Sequence, residues 1–194
     1  MRDIETKTYG PATLELLKKA DSPALPATLN FGAPDAGALP ALKAMTDQTL
    51  SANRRVRMPH DAEALQAGLW LLFDYFEQSH DISQKIGTPS GSYWHAILHR
   101  REPDASNAKY WFARVGEHPV FPELLEDARE IAAAVGSSGA TLLKTLSAAA
   151  VWDAPWFVDC CTQASDPATT KVLLAIQRRE WQLLFDYNFR KAFA

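Results

Sequence analysis

The 194-residue chain has little of several things. It holds two cysteines, and they are adjacent, Cys160 and Cys161. Neighbouring cysteines make a strained disulfide, and two thiols cannot form the framework of a domain this size. The plain reading is a reduced pair on a helix, partly buried, in a cytosolic protein; the alternative is a vicinal redox switch, which requires a perturbed thiol pKa. Basic charge is not in excess: 20 Lys and Arg against 23 Asp and Glu leave a net charge of −3. No strong positive field exists to hold nucleic acid or an anionic membrane. No window approaches the ~18 consecutive apolar residues of a membrane-spanning helix. The stretch Met1-Arg2-Asp3-Ile4-Glu5-Thr6-Lys7 has no apolar run behind its charges, so the expectation is a cytoplasmic protein without a secretory signal.

β-Branched residues are also scarce. Valine and isoleucine number 7 and 6, against 31 alanines and 22 leucines. Small and straight-chain side chains lose little freedom in a helix, whereas β-branched ones suit strands. No sustained alternation with Asn-Gly hairpin turns appears. The expectation is all-α: one domain over 1–194, a bundle of about eight or nine helices, with 1–60 a peripheral N-terminal segment and 61–194 the bundle core. Nine helices are expected: Pro11 to Ala20, Leu39 to Leu50, Asp61 to Lys85, Ser92 to Arg101, one from Asp104 to Gly116, Pro122 to Gly136, Thr141 to Ala150, and two opened by Asp153 and Asp166. Each of those last two acids stands close ahead of a proline (Pro155, Pro167) that can occupy the first turn.

Leu69 to Phe76 is apolar at seven of eight positions, so it reads as central. The final helix carries similar text from Trp181 to Tyr187. Asp74 and Asp186 interrupt these runs, and a buried carboxylate needs a partner. An arginine from another helix is one reading; a carboxylate feeding an internal polar site is the other.

Four of the five histidines, His80, His95, His99 and His118, fall between positions 80 and 118. His95 and His99 are four apart, on one helical face and about 6 Å apart along the axis. That spacing suits two imidazoles on one metal ion. Ala96 follows His95, however, so the glutamate of a His-Glu-x-x-His metalloprotease is missing. Glu77-Gln78-Ser79-His80 gives a single Glu-x-x-His pair, whereas carboxylate-bridged bundle sites need two. If a metal binds, His80, His95 and His99 are the ligands; no cofactor is strongly implied.

Asn107, Trp111 and Arg114 line one face of the next helix, joined to the His95 helix by a short link around Pro103. The candidate catalytic residues are therefore His95, His99 and Glu102, with one histidine moving a proton and a carboxylate such as Glu102 or Asp74 orienting it. Trp94, Arg100, Asn107, Trp111 and Arg114 are the candidate ligand-binding residues. Arginine offers a fork for an anion and tryptophan a flat apolar wall, so a small polar or anionic metabolite is the expected ligand. The same residues equally describe a structural polar network holding two helices in register. A third reading is an interaction scaffold in which Trp152, Trp156 and Phe157 form a contact patch, with a homodimer as one outcome. No nucleophile-elbow motif, phosphate loop or dinucleotide fingerprint is present.

The string Gly91-Ser92-Tyr93-Trp94-His95-Ala96-Ile97-Leu98-His99-Arg100-Arg101-Glu102-Pro103-Asp104, continuing through Asn107-Ala108-Lys109-Tyr110-Trp111-Phe112, Arg114-Val115-Gly116 and His118-Pro119, resembles the signature of an uncharacterised family of small soluble proteins. Ser79-His80 and the run Glu180 to Tyr187 resemble it as well. The resemblance implies no catalytic role, substrate or cofactor. Arg54, Arg55 and Arg57 lie outside it and read as a solvated basic turn.

Overall fold

A computed structural model describes residues 9–21 and 25–193. Among these residues there are eleven α-helices and no strand: α1 (Pro11–Asp21), α2 (Leu39–Lys43), α3 (Asp47–Ser51), α4 (Pro59–Leu72), α5 (Phe76–Ser83), α6 (Pro89–Arg101), α7 (Ala105–Val115), α8 (Phe121–Ala134), α9 (Ala140–Ala148), α10 (Ala154–Gln163) and α11 (Pro167–Phe193). They share one hydrophobic core and form a single all-α domain. The N-terminal part contributes buried Leu16, Leu42 and Leu50 to that core.

Several helix starts follow from capping chemistry. The Asp104 carboxylate accepts from the Asn107 amide at 3.1 Å, and Asp153 accepts from Trp156 at 2.9 Å. Asp166 does the same for Ala168 and Thr169. Each satisfies amide donors that the first helical turn leaves free.

The count exceeds nine because two expected helices are each broken. Leu39 to Leu50 divides into α2 and α3, and a Thr46–Thr49 capping box opens the second. More consequentially, Asp61 to Lys85 is not one helix. It stops at Leu72, Asp74 takes a left-handed φ of 65°, and α5 begins at Phe76. Aspartate tolerates that region better than most residues. The Arg101 guanidinium holds the break in place, donating to the Leu71 carbonyl at 2.8 Å and to the Asp74 carboxylate at 2.6 Å. A cation thus sits at the C-terminal end of α4, where free carbonyls favour it. Asp74 therefore has an arginine partner from another helix. Asp186 differs: its arginine, Arg190, lies on its own helix at 2.6 Å, with Tyr9 donating from outside at 3.3 Å.

Helix α6 is the axis of the bundle. Every residue from Ser90 to Arg101 is buried, although half of them are polar or charged. Helices α4, α5, α7 and α10 pack around it. Its Trp94 ring lies so close to Gly68 of α4 that a β-carbon there would stand 2.8 Å from the indole. The Gly68 carbonyl meanwhile accepts from Trp181 Nε1 at 2.9 Å. Trp94 is fully buried and cannot yield, so Gly68 is required by close approach rather than by φ. Substituting Gly68→Ala is expected to lower stability by ~1–3 kcal/mol through overpacking, measured by urea unfolding; an unchanged midpoint contradicts this packing.

Candidate functional site

The break at Asp74 determines where His80 lies. Because the chain turns there, α5 packs beside α6 and brings His80 against the face bearing His95 and His99. Ring centroids are 4.6 Å apart for His80–His95, 5.6 Å for His80–His99 and 4.6 Å for His95–His99. One nitrogen from each ring lies within 4.8 Å of the others.

A chain of contacts runs through the two α6 imidazoles. Glu102 Oε2 is 2.8 Å from His99 Nδ1; His99 Nε2 is 2.9 Å from His95 Nε2; His95 Nδ1 is 2.9 Å from the Ser83 hydroxyl. A carboxylate only accepts, so His99 carries its proton on Nδ1. With both rings neutral, His95 Nε2–H then donates to His99 Nε2, and Ser83 donates to His95 Nδ1. Burial pushes the His95 pKa down to about 3, with neighbouring His99 and His80 adding to the shift, so His95 is neutral at pH 7. The Asn107 amide nitrogen is 3.1 Å from His99 Nε2 and 3.3 Å from Nδ1. Being nearly equidistant, it approaches the ring face rather than either lone pair.

Trp111 of α7 closes one side, its ring centroid 4.2 Å from that of His95. Phe76 closes another, stacked on His80 at 5.6 Å. His95 and His99 are almost wholly covered, whereas His80, Asn107 and Trp111 are half-buried and Glu102 is exposed. Beside this rim lies an open cleft of about 310 Å³ lined by Asn30, Phe31, Phe76, Arg101, Glu102 and Pro103. It shares Phe76 and Glu102 with the histidine cluster. Phe31 lines the cleft, its amide donating to the Arg101 carbonyl at 3.0 Å and its ring facing the Arg101 guanidinium at 4.6 Å.

The structure therefore brings together His80, His95, His99, Glu102, Asn107 and Trp111. It places Trp94 and Arg100 on other faces of α6. Trp94 Nε1 donates to Asn188 at 2.9 Å, and Arg100 forms a fully buried ion pair with Glu180, which also accepts from Tyr93 at 3.0 Å. Arg114 is exposed, its guanidinium 5.3 Å over the outer Trp111 ring. Ser83 and Phe76 were not among the residues expected from sequence; only the break before α5 turns them toward α6. Trp152 and Phe157 are buried against one another, centroids 5.1 Å apart, and Trp156 is half-buried. Cys160 and Cys161 are both free, and burial pushes their thiols up to about 11 and 12, the protonated and unreactive condition.

The fourth histidine of the run stands apart. His118 lines a recess of about 210 Å³ with His60, Asp61, Ser90, Tyr187 and Lys191, and its Nε2 is 3.3 Å from the Ser90 hydroxyl. Comparison with family models, curated proteins and solved structures gives no match. Among the described residues, no helix is long and apolar enough to cross a membrane.

Burial, with Lys191 adding repulsion, pushes the His118 pKa from 6.5 down to about 4. Below about 6.5 the unfolded chain takes up a proton at this ring, while the folded protein does not until about 4. Stability should therefore be full above that window and decline as pH falls through it. Replacing His118→Gln, which keeps a polar partner for Ser90, is expected to flatten the decline by on the order of 1–3 kcal/mol in urea titrations at pH 7 and pH 4.5. Parallel pH profiles for the two proteins contradict a buried neutral ring.

Proposed function

We propose that this chain binds a small polar or anionic molecule in the cleft beside the histidine cluster, and that Glu102, hydrogen-bonded to His99, exchanges a proton with it. The observation supporting this reading is that Glu102, whose carboxylate accepts from His99 Nδ1, is exposed and lines an open cleft together with Asn30, Phe31 and Phe76. His99 holds the Glu102 carboxylate in place through Nδ1–H; Asn30, Phe31 and Phe76 orient the guest. The separation of Trp94, Arg100 and Arg114 from this cleft leaves the guest's contacts to Asn30, Glu102 and the two phenylalanines.

A thermal-shift panel of small carboxylates, phosphates and polyols tests the reading. A true ligand at 100 times its Kd adds ~2.7 kcal/mol, a rise of roughly 5–10 °C in Tm for a domain of this size. Glu102→Gln and Asn30→Ala, both exposed and lining the cleft, should retain the fold and lose most of that rise. A panel without any saturable shift, or a shift identical in wild type and both variants, contradicts the proposal.

A further inference from the structure

The same cluster carries an inference about a metal ion that does not depend on any guest in the cleft. We infer that His80, His95 and His99 form a mononuclear site for a divalent first-row transition-metal ion. Three features of the geometry support it. First, the three rings come from two helices and converge, with one nitrogen of each inside a 4.8 Å group. Second, the nitrogens of His95 and His99 that point away from the centre are already held, by the Ser83 hydroxyl at 2.9 Å and by the Glu102 carboxylate at 2.8 Å. Outer-shell partners of this kind set the tautomer and aim of a ligating imidazole. Third, both Nε2 atoms consequently face one another at 2.9 Å. Tetrahedral ligation at ~2.0–2.1 Å separates two nitrogens by ~3.4 Å, so a side-chain adjustment of about half an ångström admits the ion.

Coordination replaces the His95–His99 hydrogen bond: the His95 proton moves from Nε2 to Nδ1, where it is donated to the Ser83 hydroxyl, which turns its own proton to the His80 carbonyl, so the ring stays neutral. Three neutral imidazoles without thiolate suit zinc, copper, nickel or iron and not magnesium or calcium, which prefer oxygen. The group contains no fourth protein ligand among the described residues, which leaves a coordination position for water or a small molecule. The spacing of His95 and His99 on α6 resembles that of helical zinc motifs, but the third ligand comes from the helix that the Asp74 turn folds back.

The test uses the full chain stripped with a chelator. Zinc chloride is titrated calorimetrically, cobalt chloride is followed by its visible ligand-field bands, and magnesium chloride serves as the control. Expected are one zinc per chain, cobalt bands of tetrahedral type and no magnesium binding. His80→Ala, at a half-buried position, should weaken zinc at least ~100-fold, and Glu102→Gln, which touches no metal, ~10- to 100-fold. Circular dichroism establishes that each variant is folded, and Glu102→Gln decides alone if His80→Ala is not. Absence of saturable zinc binding, equal binding of magnesium, or wild-type affinity in the folded variants overturns the site. Zinc binding without any metabolite response removes only the proposed function; a metabolite response in protein that binds no zinc removes only the metal.

Discussion

Everything in this molecule follows from burying a helix that is half polar. From Ser90 to Arg101, α6 presents serines, histidines and arginines to the interior, away from bulk solvent. An unpaired buried polar group costs about 1–3 kcal/mol, and an unpaired charge more. Each of these side chains therefore demands a partner on a particular neighbour. Glu180 meets Arg100, Asp74 meets Arg101, Ser83 meets His95, and Asn188 meets Trp94. These pairings determine which helix packs on which face, because an apolar replacement surface would leave a charge stranded.

The Arg101–Asp74 pair links fold to chemistry. Its guanidinium stops α4 by binding the Leu71 carbonyl, and the turn that follows sends α5 back alongside α6. Without that turn, a straight helix from residue 61 to 85 would carry His80 about 12 Å beyond residue 72, away from His95. A structural ion pair and the imidazole cluster are thus parts of one arrangement. Arg101 also packs on Phe31, and both line the cleft that Glu102 borders.

The helical class was legible from composition, since alanine and leucine so outnumber valine and isoleucine. The meeting of the His95/His99 face with Asn107 and Trp111 was legible too, from i, i+4 spacing and the short Pro103 link. What remained hidden has a common cause. The break at Asp74 leaves no glycine or proline in the text, because the stop signal is an arginine 27 residues away. Reading Leu69 to Phe76 as one greasy helix was reasonable from local pattern and wrong in detail for that reason. Arg100 likewise looked available to an anion, while its carboxylate, Glu180, lies 80 residues further along. Spacing along one helix reveals which side chains share a face; it does not reveal which face a distant helix covers.

The central claim is that the α6 imidazoles form one directed hydrogen-bonded chain from Ser83 to Glu102. Long-range ¹⁵N–¹H correlation spectra of the metal-free protein at pH 7 report the protonated nitrogen of each ring directly. The account requires His95 with its proton on Nε2 and His99 with its proton on Nδ1. Finding His95 charged, or His99 protonated on Nε2 alone, would contradict it.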